Sequence, residues 1–201
     1  MEKFTTLTAV AAPLPQKNVD TDTIIRIERC TGTPKEDLGR YAFEMARADP
    51  AFVLNQPRYR GARILVCGEF FGTGSSREMA VWALAGMGIR CLIAPSFGQI
   101  FFANCFQNGL LPIVLPAPEV DALMREAEEG RPFEIDLERQ TVNGTVGFAI
   151  GARRKRMLLE GLDEVGLTLA LEAKIAAFQA ADRERRPWIY AAVSNAQRRA
   201  N

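Results

Sequence analysis

Two short apolar runs, Ala62–Cys67 and Ile89–Ala94, bracket a glycine-rich turn and a helical stretch. That arrangement constrains the fold more than any other feature of the chain. Ala62-Arg63-Ile64-Leu65-Val66-Cys67 is too short for a helix and carries β-branched residues, so it reads as a strand buried on both faces. Gly72-Thr73-Gly74-Ser75-Ser76 forms a tight turn. Arg77–Ala85 then places Met79, Trp82 and Ala83 at helical spacing, and Gly86 and Gly88 close the helix. Strand, turn, helix, strand is a βαβ unit, and its two strands must lie parallel with a right-handed crossover.

The remaining elements are placed around this unit. Thr6–Ala11 reads as a strand that Pro13 and Pro15 interrupt, followed by a polar loop over Asn18–Asp22. Ile24–Ile27 suggests a short strand, Thr31–Asp37 a mobile loop, and Leu38–Ala48 a helix stopped by Asp49-Pro50. Phe97–Asn108 reads as a helix capped by Gly109, with Phe97, Phe101, Phe102 and Phe106 as core at i, i+4 spacing. Leu110–Leu115 is a third core strand, and Glu119–Glu129 an exposed helix. Pro132–Ile150 alternates about Val142-Asn143-Gly144 as a hairpin. Arg153–Leu162 and Leu169–Ala181 are helical. The expectation is an α/β fold with a mainly parallel sheet, flanking helices and an appended hairpin. It forms one domain over residues 1–181, with a polar, flexible tail over 182–201.

Composition narrows the function. Lys plus Arg is 25 and Asp plus Glu 24, for a net charge of +1 over 201 residues. A chain that neutralises nucleic-acid phosphates is normally more basic, so no nucleic-acid partner is expected. No apolar run is long enough to span a membrane, and the N-terminus lacks the pattern of a signal peptide; a cytoplasmic protein is expected. Cys30, Cys67, Cys91 and Cys105 form no C-x-x-C, so they read as buried reduced thiols rather than ligands, and no metal site is expected in this chain. There is no histidine at all. That excludes a histidine-activated nucleophile, a histidine metal ligand and histidine acid–base chemistry within the chain. If the chain serves an enzyme, its proton chemistry belongs to another residue type or to a partner.

The turn over Gly72–Glu78 is the best place for chemistry, because ligands of α/β sheets bind at the carboxyl ends of strands. Glycines allow close backbone approach, and the N–H groups at a helix start attract an anion. Ser75 and Ser76 add hydroxyls, and Arg77 adds a fork suited to a carboxylate or phosphate. A serine alkoxide held by backbone donors is also able to take a proton from carbon. The structural alternative is a plain helix cap, with a serine as N-cap and Glu78 completing a capping box. Asp20 and Asp22 in the earlier loop either orient a partner group in a site or make an Asx-turn. Arg153-Arg154-Lys155-Arg156 reads as a solvated helix face or a contact between subunits, with RNA binding the weaker alternative.

Several stretches together carry a family resemblance. Asn18-Val19-Asp20-Thr21-Asp22-Thr23-Ile24-Ile25, Phe71-Gly72-Thr73-Gly74-Ser75-Ser76-Arg77-Glu78, Ile93-Ala94-Pro95-Ser96-Phe97 and Gly161–Leu169 resemble, in order, motifs of the 3-isopropylmalate dehydratase small-subunit family. The likeness runs from about Leu7 to about Phe178. It implies the swivelling β/β/α domain of the aconitase superfamily and a heterodimer with a large subunit that carries a [4Fe–4S] cluster. The implied reaction is the isomerisation of 2-isopropylmalate to 3-isopropylmalate through isopropylmaleate in leucine biosynthesis, a hydro-lyase step on a small dicarboxylate.

By motif position, the resemblance makes Ser75 the base that removes the carbon-bound proton. It gives Ser76 and Arg77, with Gly74 and Thr73, to the substrate carboxylate. Thr21, Asp22 and Asp20 fall in a supporting loop, with Asp22 positioning a histidine of the large subunit. The absence of histidine and of a cysteine cluster then follows, since the partner supplies both. A substrate-selecting loop falls near Arg26–Tyr41. Three positions depart from the family pattern: Thr73 stands for Cys, Met79 for His and Val81 for Pro. Met79 reads either as a repacked core position or as the mark of a related hydratase subunit for citraconate, dimethylmaleate or a similar substituted maleate. Together with the missing histidine it motivates a third reading, a non-catalytic binding module.

Overall fold

A computed structural model describes residues 1–190 of the chain. It divides into two compact units, residues 1–163 and residues 164 onward. In the first unit β1 (Thr6–Leu14) is followed by α1 (Thr21–Ile24), α2 (Ile27–Cys30), a 3-10 segment (Lys35–Tyr41), α3 (Glu44–Arg47) and two short 3-10 turns (Val53–Asn55, Pro57–Tyr59). Then come β2 (Ile64–Cys67), α4 (Glu78–Gly86), β3 (Cys91–Ala94), α5 (Gln99–Gln107), β4 (Leu111–Val114), α6 (Ala117–Glu128), β5 (Pro132–Asp136), β6 (Thr141–Val142), β7 (Val146–Gly147) and α7 (Ala152–Glu160).

The seven strands form one sheet in the order β4-β3-β2-β1-β5-β6-β7. Its β4 to β1 half is parallel, as the βαβ reading requires. From β1 outward every pairing is antiparallel, so the sheet is mixed rather than mainly parallel. Strand β1 joins the halves. Ala11–Leu14 pair with β2, while Thr6–Val10 pair with β5. The Asn143-Gly144 turn does form between β6 and β7, with both residues at positive φ, but β5 lies between β1 and β6. The expected hairpin is thus a three-strand meander.

Proline does not stop β1. The carbonyls of Val10 and Leu14 accept from Arg63 and Gly68 on the β2 side. Alternation then turns the Pro13 nitrogen to the other side, where β5 has already ended at Pro132 and no ladder bond is lost.

The segment between β1 and β2 differs most from expectation. Ile24–Ile27 is not a strand, and Leu38–Ala48 is not one helix: the 3-10 segment ends at Tyr41, and Phe43, at φ +55, separates it from α3. The cause is tertiary. Ile24, Ile25, Leu38, Ala42 and Phe43 are all buried in the main core beside Leu14, Leu65, Phe71 and Leu84, so the chain bends to deliver them. Each full burial of this kind is worth about 1.5–3 kcal/mol, enough to override local preference. Gly39 shows how close the approach is, since a Cβ there would lie 2.2 Å from the Gly86 carbonyl carbon at the end of α4.

Cys67, Cys91 and Cys105 are fully buried and Cys30 partly so; none is in a disulfide. No described helix is long and apolar enough to cross a membrane. In the second unit, α8 (Glu164–Leu169) and α9 (Glu172–Arg185) replace the single helix expected over Leu169–Ala181. Asp182 near the end of α9 accepts from Arg186 Nε at 2.7 Å and from the Tyr190 hydroxyl at 3.0 Å. The stretch from Asp182 onward is therefore helical to Arg185, and the part of the expected tail beyond residue 190 lies outside the described residues.

Candidate active site

The turn after β2 is built by two loops bonded to each other. Asn18 N–H donates to the Glu69 carbonyl (2.8 Å), Gly72 N–H to Val19 (2.7 Å) and Thr21 N–H to Thr73 (3.0 Å). The buried Thr21 hydroxyl donates to the Ser75 carbonyl at 3.2 Å. Asp20 caps α1 by accepting from Thr23 N–H at 2.7 Å, and its backbone bridges to Thr73. Asp20 is thus a helix N-cap rather than the expected Asx-turn before a strand, and the short helix it starts carries Asp22.

Packing behind the turn is tight. Gly72 lies at φ +72, and a Cβ there would stand 2.2 Å from the Phe101 ring. Gly98 closes on it from the loop after β3, where a Cβ would meet the Gly72 carbonyl oxygen at 2.3 Å. Phe71, Phe97 and Phe101 form a ring cluster with centroids 5.6–6.4 Å apart. Phe101 and Phe106 are buried as expected, while Phe97 and Phe102 are only half-buried.

In front of the turn is a cavity of about 200 Å³ lined by Thr73, Gly74, Ser75 and Ser76 on one side and Gly98, Gln99 and Ile100 on the other. The cap alternative fails here. The N-cap of α4 is Arg77, with no side-chain cap bond, so neither serine hydroxyl caps the helix. Ser75, Ser76 and the backbone N–H groups of Gly74, Ser75 and Ser76 have no hydrogen-bond partner for those groups among the described residues. They are donors available to a ligand.

Arg77 is not free. Its two terminal nitrogens form a bidentate pair with Asp22, Nη2 donating to Oδ2 at 2.9 Å and Nη1 to Oδ1. Bonding to the guanidinium holds the Asp22 carboxyl below the usual aspartate range, against the opposing effect of burial, and raises Arg77 in return. The Arg77 side chain is 18% exposed and that of Asp22 54%.

The structure thus gathers Asp20, Thr21, Asp22, Thr73, Gly74, Ser75, Ser76 and Arg77 into one place. Met79 lies behind the turn, half-buried and packed against the core. Sequence reasoning missed the facing wall of Gly98, Gln99 and Ile100. The available signal was topological: loops that follow adjacent parallel strands sit side by side at the carboxyl edge. The basic run on α7 lies elsewhere and is engaged within the chain. Arg154 sits 4.9 Å and 4.8 Å from the Phe102 and Phe106 ring centroids, Lys155 donates to Glu138 and Gln140, and Arg156 pairs with Glu160.

Residues 1–118 match the family model described as the aconitase C-terminal domain, and residues 164–192 match that of the C-terminal domain of the 3-isopropylmalate dehydratase small subunit. The small subunits of 3-isopropylmalate dehydratase from Dinoroseobacter shibae and Parvibaculum lavamentivorans are 50% and 52% identical to the chain, over 94% of its length and 100% of theirs. A crystal structure of 3-isopropylmalate dehydratase from Methanocaldococcus jannaschii superposes with a TM-score of 0.63 at 28% identity, covering 87% of this chain and 99% of that one.

Proposed function

Since the chain belongs to the 3-isopropylmalate dehydratase small-subunit family, we propose that the Gly72–Arg77 turn is its contribution to the active site, with Ser75 as the proton-transferring residue. The protein is the small subunit of a hydro-lyase that works with a large subunit in leucine biosynthesis. The relatives' names do not favour the citraconate or dimethylmaleate alternative. Residues 1–118 of its first unit belong to the aconitase C-terminal domain family.

The observation that carries the site reading is the set of unengaged donors, two hydroxyls and three amides, over a cavity beside an arginine already aimed by Asp22. Dehydration of 2-isopropylmalate breaks a C–H bond on the carbon next to the one bearing the hydroxyl. Ser75 Oγ takes that proton and later returns it to the other carbon during rehydration. Neighbouring amides and the Arg77 charge favour the alkoxide form that this requires. Ser76 and the amides of Gly74 and Ser75 receive a substrate carboxylate. Arg77 adds the N–H groups that Asp22 does not use, since a guanidinium carries five and the pair takes two.

A [4Fe–4S] cluster in the large subunit, acting on the substrate hydroxyl as a Lewis acid, belongs to the same proposal. This chain does not fit a cluster. Among the described residues no three His, Cys, Asp or Glu side chains come together to hold a metal. Burial pushes the Cys67, Cys91 and Cys105 thiols well up, away from the thiolate a cluster needs. The chain's part in the chemistry is the proton and the carboxylate. A cytoplasmic location fits the same role.

The test is to co-express the chain with its large subunit, purify anaerobically and follow isopropylmaleate by ultraviolet absorbance. Turnover lost in Ser75→Ala with the complex intact supports the assignment. Undiminished turnover removes Ser75 from the chemistry. A stable complex that turns over only citraconate or dimethylmaleate would shift the substrate.

A further inference from the structure

A second cavity, of about 330 Å³, opens at the other end of β2, where Gly61 and Ala62 lead into the strand. Its apolar wall is Leu54, Tyr59 and Met87. Arg47 and Arg60 line it as well, and among the described residues neither guanidinium has a hydrogen bond, ion pair or ring contact. The guanidiniums of Arg63 and Arg125 have none either, but neither lines this cavity. Arg26, Arg29, Arg40, Arg77 and Arg90 each face a carboxylate. From Pro50 to Gly68 the chain carries Arg58, Arg60 and Arg63 and no acidic residue. The nearby Arg58 is satisfied by neutral oxygens, those of Gln56 and of the Glu128 backbone.

The rim is held in place without using these charges. The Asn55 side-chain amide donates to the Arg47 and Asp49 carbonyls, each at 2.8 Å, and Gln56 donates to Ala51 at 3.2 Å. The buried Tyr59 donates its hydroxyl to Ala127 at 3.3 Å. Two like charges left uncompensated on a fixed concave rim gain nothing for the fold. They gain a great deal from an anion, and a guanidinium is the side chain best suited to an oxyanion. The volume lies at the lower end of the range for small-molecule sites, and the apolar wall asks for more than a bare ion.

We propose that this pocket binds a small organic oxyanion, a carboxylate or phosphate, with its head on Arg47 and Arg60 and a short apolar body against Leu54, Tyr59 and Met87. The site is separate from the glycine turn and does not depend on the reading of that turn.

The experiment is a titration of the full isotope-labelled chain, read by backbone amide shifts, with inorganic phosphate in one arm and 4-methylpentanoate in the other. Saturable shifts at Asn55, Gly61 and Ala62 are expected in the millimolar range or tighter. They should weaken about tenfold or more in Arg47→Gln/Arg60→Gln, and persist in Arg77→Gln. Tighter binding of 4-methylpentanoate marks a carboxylate with an apolar body, and tighter binding of phosphate marks a phosphate site. The two arginines are on the surface, and an otherwise unchanged spectrum confirms that the double variant is folded. Shifts confined to Gly74–Arg77, or shifts at Gly61 that the double variant leaves intact, overturn the proposal. So does the absence of shifts with either probe together with weaker assembly of the double variant with the large subunit, which would make the patch a protein contact.

Discussion

The two ends of β2 treat positive charge in opposite ways. At the carboxyl end Arg77 is 18% exposed, gripped by Asp22 and flanked by two loops bonded at four backbone and side-chain points. At the amino end Arg47 and Arg60 are exposed and unmatched beside a rim that is fixed independently of them. An anion approaching Arg77 shares it with Asp22 and must satisfy a defined geometry. An anion approaching Arg47 and Arg60 meets no competitor. Matched charge aims a group, and unmatched charge attracts one. Salt should separate the two, since exposed charges are screened over about 8 Å at physiological ionic strength and half-buried pairs far less.

The sharpest break in this comparison is Ser75→Ala. It should lower kcat of the assembled enzyme by about 10²–10⁴-fold, the usual weight of a proton-transferring group, with the complex intact on size-exclusion chromatography. Next comes a pair of glycines with nearly the same φ. Gly72 (φ +72) has the Phe101 ring 2.2 Å from a built Cβ, whereas Gly61 (φ +74) has nothing within 4 Å. Gly72→Ala should cost about 3 kcal/mol or more, from backbone strain and overpacking together. Gly61→Ala should cost only the left-handed strain, about 1–2 kcal/mol. Urea unfolding of the two variants measures both, and equal losses would mean that the carboxyl end is no more tightly packed than the amino end.

Asp22→Asn is the smallest change. Its pair with Arg77 is partly exposed, so the loss should be at most about 1 kcal/mol. The folded state depresses the Asp22 pKa. The pair's contribution is therefore complete above the ordinary aspartate range and is lost as pH falls through the lowered value. Wild type and Asp22→Asn should differ at neutral pH and converge in strong acid. A difference that persists in acid would assign the effect to something other than the ion pair.

How far the sequence speaks depends on what holds each region. Strands β2 and β3 were readable because each is a short apolar run between glycines, buried on both faces, and β4 because a short apolar run lies between Gly109 and Pro116. The turn after β2 was readable from its glycines, and the structure brings Thr73, Gly74, Ser75, Ser76 and Arg77 together there as proposed site residues. Asn143-Gly144 identified one turn of the meander. Nothing local, however, could show that β5 pairs with β1, because that pairing joins residues more than 120 positions apart. The stretch from Ile24 to Tyr59 defied local reading because its shape serves the burial of Ile25, Leu38 and Phe43. The Asp22–Arg77 pair was missed for a related reason. Both residues were singled out, but their partnership spans 55 positions and exists only once Thr21 and Thr73 are bonded.

The four cysteines turn this packing into a measurement. Cys67, Cys91 and Cys105 lie wholly inside, and burial raises each thiol far from its reactive form. Cys30 ends α2, near enough to Asp22 and Arg77 for their charges to act on its thiol, and is partly accessible with a smaller upward shift. A maleimide added to the native chain should label Cys30 slowly and spare the other three until the chain unfolds. One natural sulfur thus serves as a reporter beside the candidate site, and its labelling rate would register any ligand or partner that covers that corner.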